Sequence, residues 1–327
     1  MRTLQNARVL ITGGLGMIGS SIARKAVVHG AQVMIVDALL PLYGGNPFNI
    51  RDIRDSIQFV KADIRDYEKI EKLVIDTDVI FHLAAQVSYV DSNKDPFTDL
   101  DINCRGHLNI LEAFRKANKK AKVIFSSSRF VYGATERNPV DESHPLNCLS
   151  IYGIHKLAAE RYCQFYGRAY GMRQTIFRIA NPYGPGQQMR HSQYGIVNWF
   201  IRLALEGKPL TIYGDGSQKR DYIFIDDLAE AMVMAASTET TDGKVYNIGS
   251  GVGTAFVEMA QTIAAIIPNT KLEHVEWPGE RYFVETGDYI TDISKISRDT
   301  GWQPRTSLYD GTKRTVDYYA KYGKHYW

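Results

Sequence analysis

Cysteine is scarce: 327 residues contain only Cys104, Cys148 and Cys163. Their odd number and lack of metal-ligand spacing argue against a disulfide framework and a metal centre, and free thiols in a reducing compartment account for them. No apolar run is long enough to span a bilayer, so no membrane partner is expected. The amino terminus, MRTLQNARVLITGG, enters a strand pattern at once and lacks the apolar core and cleavage site of a secretory signal, which makes the expected location cytoplasmic. Charge of one sign is missing too. With 39 Lys+Arg against 36 Asp+Glu the formal net charge is +3. RKANKKAK at 115–122 is the one basic block and reads as the solvated end of a helix, so nucleic acid is not an expected partner. Internal repeats and low-complexity linkers are likewise absent.

What remains is an ordinary globular composition, 44% hydrophobic and 23% charged. Through the first half, short apolar runs alternate with amphipathic stretches: ARVLITGG, GSSIARKAVVHG, AQVMIVDA, IQFVKADI, YEKIEKLVID, DVIFHLAA, LDINCRGHLNILEAFRKAN and KVIFSSS. In the longest of these, Leu108, Ile110, Leu111 and Phe114 recur at helical spacing. Continuous apolar strands between helices imply a parallel sheet covered on both faces, a doubly wound α/β fold. After Arg178 the rhythm breaks. NPYGPGQQMRHSQYG reads as a long loop, IVNWFIRLALEG and FIDDLAEAMVMAA as helices, PLTIYGDG as a strand and turn, and 268–327 as short strands and turns.

VLITGGLGMIGSSIA places glycines between the first strand and first helix, where backbone can approach a pyrophosphate and free helix N–H groups point at it. Two registers fit, Gly14-Gly16-Gly19 and Gly13-Gly16-Gly19. Asp37 closes the second strand 18 residues beyond Gly19. A carboxylate there accepts from a ribose diol and repels a 2′-phosphate, and no cation follows it in Ala38-Leu39-Leu40, so NAD is favoured over NADP. Tyr152 and Lys156, four apart in SIYGIHKLAAERYCQFY, share a helix face. A phenol is a poor base at neutral pH, and nearby positive charge would favour its phenolate. VIFSSSRFVYG at 123–133 ends a strand in Ser126, Ser127 and Ser128, any of which is either a strand end or a reacting hydroxyl.

In this order and company, the motifs resemble the extended short-chain dehydrogenase/reductase family, in particular its NAD-dependent nucleotide-sugar epimerases and dehydratases, such as those acting like UDP-glucose 4-epimerase. DIRD at 63–66, FHLAA at 81–85, YGIHK, RIANPYGPGQ at 178–187, GDGSQKRDYIFIDD at 214–227 and TGWQP at 300–304 carry the likeness across nearly the whole chain. The resemblance implies a Rossmann-type NAD-binding domain over 1–180, with a segment returning near 222–250, and a smaller C-terminal nucleotide-sugar lobe over 181–327. It implies that Gly13, Gly16, Met17, Ile18, Gly19 and Asp37 hold the cofactor, with Asp63 and Ile64 at its adenine and Leu83, Ala84 and Ala85 at its nicotinamide ribose. It makes Ser128 the catalytic hydroxyl, Tyr152 the base and Lys156 both its tuner and a ribose ligand. Ser126 and Ser127 are then structural or on the cofactor side. Asn181, Arg220 and Arg281 match substrate-binding positions, and arginine's planar fork suits phosphate. A homodimer is also implied, and Leu108, Phe114, Tyr162 and Phe165 fit either an intersubunit helix bundle or the core.

Within the resemblance, epimerases return the electrons they remove, whereas dehydratases and decarboxylases commonly place a carboxylate two positions after the catalytic Ser/Thr. Here Arg129 and Phe130 follow Ser128, and neither side chain serves as a proton-transfer group at ordinary pH. The expected activity is therefore epimerisation at C4 of a UDP-hexose or UDP-hexuronate. Arg129 faces either an acidic group of the substrate or a protein carboxylate. A deoxysugar-nucleotide reductase and a non-catalytic NAD-binding protein are the alternatives. LPLYGGNPFNI at 40–50 forms a turn-rich loop after Asp37 with no assigned role.

Overall fold

The computed structural model describes residues 4–41, 43–117, 120–277 and 286–327. The strands in chain order are β1 (Arg8–Thr12), β2 (Gln32–Asp37), β3 (Ile57–Lys61), β4 (Val79–His82), β5 (Lys122–Ser128), β6 (Arg173–Ile179), β7 (Asn181–Tyr183), β8 (Leu210–Tyr213), β9 (Lys219–Phe224), β10 (Lys244–Ile248), β11 (Gly253–Ala255) and β12 (Leu272–Val275). Seven of them form a sheet in the order β10-β6-β5-β4-β1-β2-β3, with every neighbouring pair parallel. The expected α/β doubly wound sheet is the observed one. Its central strands β4 and β5 are buried at every residue, which is why each carries a continuous apolar stretch, Val-Ile-Phe, rather than an alternating one.

From β1 the chain winds outward through β2 and β3, and from β4 the other way through β5 and β6. The crevice between the carboxyl ends of β1 and β4 is the switch point at which doubly wound sheets bind ligands. β10 completes the far edge by pairing with β6, and the helix Ile225–Ala236 packs against the helix Met17–Val28. Two smaller sheets, β11-β9-β7 and β12-β8, complete the described strands.

Two elements depart from the sequence pattern. A π-helical turn, Asp101–Gly106, opens the helical stretch before the regular helix His107–Ala117. The segment read as strands and turns near the C-terminus contains the helices Ser294–Thr300 and Leu308–Tyr322, the latter capped by Ser307 Oγ accepting from Asp310 N at 3.1 Å. The buried residues of that last helix are Gly311, Thr312, Thr315, Val316 and Tyr319, so hydrophobic periodicity hides it. Among the described residues, no helix is long and apolar enough to cross a membrane.

Candidate active site

Gly13 leaves β1 with φ +68°, and a Cβ placed on it would lie 2.9 Å from both Ala84 Cα and Ala84 N. The backbones after β1 and β4 therefore touch across the switch point, an approach that only glycine permits. Gly19, in the first turn of the 17–28 helix, is packed on the turn itself: its Cβ would lie 2.4 Å from Gly13 O. Gly14 instead packs against Ile35 and does not line the cavity, whereas Gly13, Gly16 and Gly19 do. Thr12 fixes the opposite wall. Its Oγ1 accepts from Leu83 N and Ala84 N, both at 3.2 Å, and lies 2.8 Å from His82 Nδ1. Burial, with the Lys156 charge adding to it, pushes the His82 imidazole down to about 3, so it is neutral.

Asp37 is held by two backbone donors, Leu15 N at 3.1 Å on one oxygen and Leu39 N at 2.9 Å on the other. Burial raises its pKa and these two bonds oppose the rise. Asp63 is gripped by the Arg65 fork, with Nε at 2.9 Å and Nη2 at 2.6 Å, which holds its carboxyl below the usual range.

The three serines separate by their partners. Ser126 Oγ donates to His82 O at 3.4 Å, and Ser127 Oγ donates to the buried Glu160 at 2.5 Å. Ser128 hydrogen-bonds Tyr152 and caps the short turn Arg129–Val131, its Oγ accepting from Phe130 N at 3.3 Å. Tyr152 sits in the first turn of the helix Ile151–Tyr170, which Ser150 caps. Its phenol is buried, and burial pushes its pKa up. The Ser128 bond opposes that rise and the Asp99 charge adds to it. Lys156 follows one helical turn later, and both residues line the same cavity. Lys156 is itself pushed down to about 8 by burial, with Asp99 and Glu160 opposing. Its ammonium lies 4.6 Å over the Phe125 ring, and it makes no hydrogen bond among the described residues. An ammonium buried at a cavity wall with its donors unused fits a group bearing ribose hydroxyls.

Asp99 is the residue the sequence reasoning missed. It is fully buried beneath Tyr152 and Lys156, and its Oδ1 lies 2.6 Å from His155 Nδ1. It lies in PFTDLDIN, where an acidic residue near a helix start reads as a solvated first-turn charge.

Arg129 is buried, donating to Asn181 Oδ1 at 3.3 Å and Thr286 Oγ1 at 2.9 Å, and its guanidinium lies over the Phe130 and Tyr289 rings. Phe130 stacks on Tyr89 with ring centroids 5.0 Å apart and presents its ring to Tyr152 at 5.9 Å. Asn181 donates to Asp221 O at 2.9 Å, and Arg220 Nη1 donates to Gly287 O at 2.7 Å. Every sequence-predicted site residue lines one continuous cavity of ≈ 720 Å³, except Arg281, which lies outside the described residues. Its far end is walled by Tyr213, Trp277, Trp199 and Phe256, which sequence reasoning also missed. Parallel pairing of β8 with β12 brings Tyr213 and Trp277 together, with centroids 5.5 Å apart, from positions more than sixty residues distant in the chain.

The model of the NAD dependent epimerase/dehydratase family matches residues 9–249. The chain belongs to this family. The putative UDP-glucose 4-epimerase of Methanocaldococcus jannaschii is 37% identical to this family member over 313 residues, 95% of this chain and 97% of that protein. The UDP-N-acetyl-alpha-D-glucosaminuronate decarboxylase of Bacillus cytotoxicus is 33% identical, over 96% of this chain and 98% of that one. The solved UDP-glucuronic acid 4-epimerase from Bacillus cereus, in complex with UDP-glucuronic acid and NAD, superposes with a TM-score of 0.85 at 29% identity, covering 96% of this chain and 99% of that one. This epimerase/dehydratase is thus an NAD-dependent enzyme of nucleotide sugars, in a family whose members differ in the reaction that follows.

Proposed function

We propose that the enzyme epimerises a nucleotide sugar at C4, a UDP-hexose or UDP-hexuronate, through a transient 4-keto sugar. The observation that carries this reading is the distribution of carboxylates. Among the described residues lining the cavity, these are Asp37 and Asp63 alone, on or beyond β2 and β3, with β1 and β4 between them and Ser128 at the end of β5. Assisted dehydration or decarboxylation calls for a proton-transfer group beside the sugar, and the turn after Ser128 offers Arg129 and Phe130.

Bound NAD supplies the two-electron oxidation of the sugar carbinol and its reversal. Gly13, Gly16, Met17, Ile18 and Gly19 hold its pyrophosphate at the helix start, and Asp37 takes the adenosine ribose diol. Asp63 and Ile64 line its adenine. Leu83, Ala84, Ala85 and the Lys156 ammonium hold the second ribose. Ser128 orients the sugar hydroxyl, Tyr152, as the phenolate that the neighbouring Lys156 ammonium would favour, accepts its proton and later returns it, and substrate and product are isomers with no net redox change. Asn181, Arg220 and Arg281 take the substrate diphosphate, and the aromatic wall at Tyr213 and Trp277 receives the base.

The enzyme acts as a homodimer through the exposed stripe of the 151–170 helix, where Ile154 and Phe165 face outward. Phe114 belongs to the core instead, and Leu108 and Tyr162 pack against it. Its three free thiols suit a reducing cytoplasm.

Proton NMR of the purified protein with UDP-glucose and UDP-glucuronate, without added NADH, tests the reading. Accumulation of a C4 epimer from either is expected. Unchanged spectra from both, with NAD bound, would overturn it.

A further inference from the structure

The loop after Asp37, for which the sequence offers no role, contains a fully buried amide. Asn49 is 1% exposed and lies in the short turn Pro47–Ile50. Its Nδ2 donates to Leu15 O at 2.8 Å and to Gly186 O at 2.7 Å, and its Oδ1 accepts from Tyr326 OH at 2.6 Å. Leu15 belongs to the glycine turn, and its N–H donates to Asp37 at 3.1 Å. Gly186 belongs to the loop after β7, and its neighbours Gln187 and Gln188 line the cavity. One side chain thus ties the cofactor turn, the substrate-side loop and the C-terminal tail.

The fit leaves no slack. Gly186 has φ +96°, and a Cβ placed on it would lie 3.3 Å from Asn49 Oδ1. Asn46 doubles the connection, taking Leu15 O through its N–H at 3.1 Å and donating Nδ2 to His325 O at 2.9 Å. An amide is the side-chain group that supplies two donors to two facing carbonyls while its oxygen still accepts from a hydroxyl.

The geometry points to Asn49 as a positioning residue that holds the cofactor turn and the substrate-side loop in one register, so that NAD retention and nucleotide affinity depend on the same amide. This rests on the family's cofactor and substrate class, and is independent of which carbon is epimerised.

Asn49→Asp is nearly isosteric, removes both donors and turns an oxygen toward Leu15 O and Gly186 O. NAD loss from the holoenzyme on dilution should accelerate roughly tenfold, and the Kd for UDP measured calorimetrically on NAD-loaded protein should rise roughly tenfold, well below the melting temperature. A residue of merely structural importance would lower the melting temperature and leave both quantities native, which overturns the proposal. Movement of one quantity without the other overturns it equally. Gly186→Ala provides a second route should the first variant not fold. It presses on Asn49 from the substrate side alone, and faster NAD loss is expected alongside weaker UDP binding. Weaker UDP binding with native NAD retention would refute the shared register.

Discussion

Glu160 Oε2 lies 2.7 Å from Arg178 Nη2, and both side chains are buried behind the serine end of β5. Arg178 also reaches Tyr132 OH at 3.0 Å, and Tyr132 OH donates to Asn247 Oδ1 at 2.5 Å. Ser127 supplies the last bond to the carboxylate. The pair therefore joins β5, β6 and the 151–170 helix, the elements that carry Ser128, Tyr152 and Lys156. Its removal is a test of architecture rather than chemistry. Glu160→Gln leaves a buried guanidinium without its counter-charge and should cost about 3–5 kcal/mol in urea unfolding. Ser127→Ala should cost about 1 kcal/mol and keep turnover, because its hydroxyl is bonded to Glu160.

The adjacent residue should behave in the opposite way. Ser128→Ala and Tyr152→Phe each remove a hydroxyl from a residue that lines the cavity, and the one backbone bond lost is that from Phe130 N to Ser128 Oγ. Turnover should fall by about 10²–10⁴ in each, while NAD content and melting temperature stay near native. Steady-state assays beside a denaturation curve check this, and a Tyr152→Phe protein with native turnover would remove the tyrosine from the mechanism.

These contrasts show where the sequence was legible. The strands are continuous apolar runs and the glycine turn lies between strand and helix, so the parallel sheet and the cofactor end follow from local pattern. The motif singles out Ser128, yet what engages the Ser127 hydroxyl is Glu160, thirty-three residues away, and only folding joins them. Asp99 stayed hidden for the same reason, since its burial under Tyr152 comes from packing of the helix Pro96–Leu100 on the 151–170 helix. The Tyr213 and Trp277 wall depends on pairing between β8 and β12. The last helix escaped because its buried face, Gly311, Thr312, Thr315, Val316 and Tyr319, holds a single aliphatic side chain for a hydropathy count to mark as core.

Lys156 yields a pH-dependent prediction. Burial lowers it from 10.5 to about 8 in the folded protein. Between about pH 8 and 10.5 the unfolded chain keeps a proton that the folded chain has released, so this group's contribution to stability rises with pH across that window. Below pH 8 the buried ammonium is charged in both states and the folded protein carries the full desolvation cost. Lys156→Met should therefore stabilise the protein at pH 7 by roughly 1–3 kcal/mol, flatten the rise between pH 8 and 10.5, and abolish turnover. Urea melts at several pH values read the slope directly, and a Met variant with the native slope would place the titration elsewhere.

Ile154 and Phe165 are eleven residues apart, about three helical turns, and so lie on one line of the 151–170 helix. Each is half exposed, at 49% and 50%. The helix Pro96–Leu100 packs on the 151–170 helix and leaves Phe97 at 78% and Leu100 at 43% exposure. Ile154 and Phe165 are the apolar side chains that association through this helix would bury, whereas the opposite face, with Ala159 and Cys163, is already committed to the core. A twofold-related copy would place stripe against stripe, each chain contributing the same patch. Ile154→Glu combined with Phe165→Glu puts two carboxylates into that contact without touching the core. Sedimentation velocity at micromolar concentration should show the native chain at twice its own mass and the double variant at its single mass, with NAD still bound because the cofactor cleft lies on the other side of Tyr152 and Lys156. A native chain that sediments as a monomer would mean that the stripe is solvent-facing in the working enzyme, and that its catalytic site is complete within one copy.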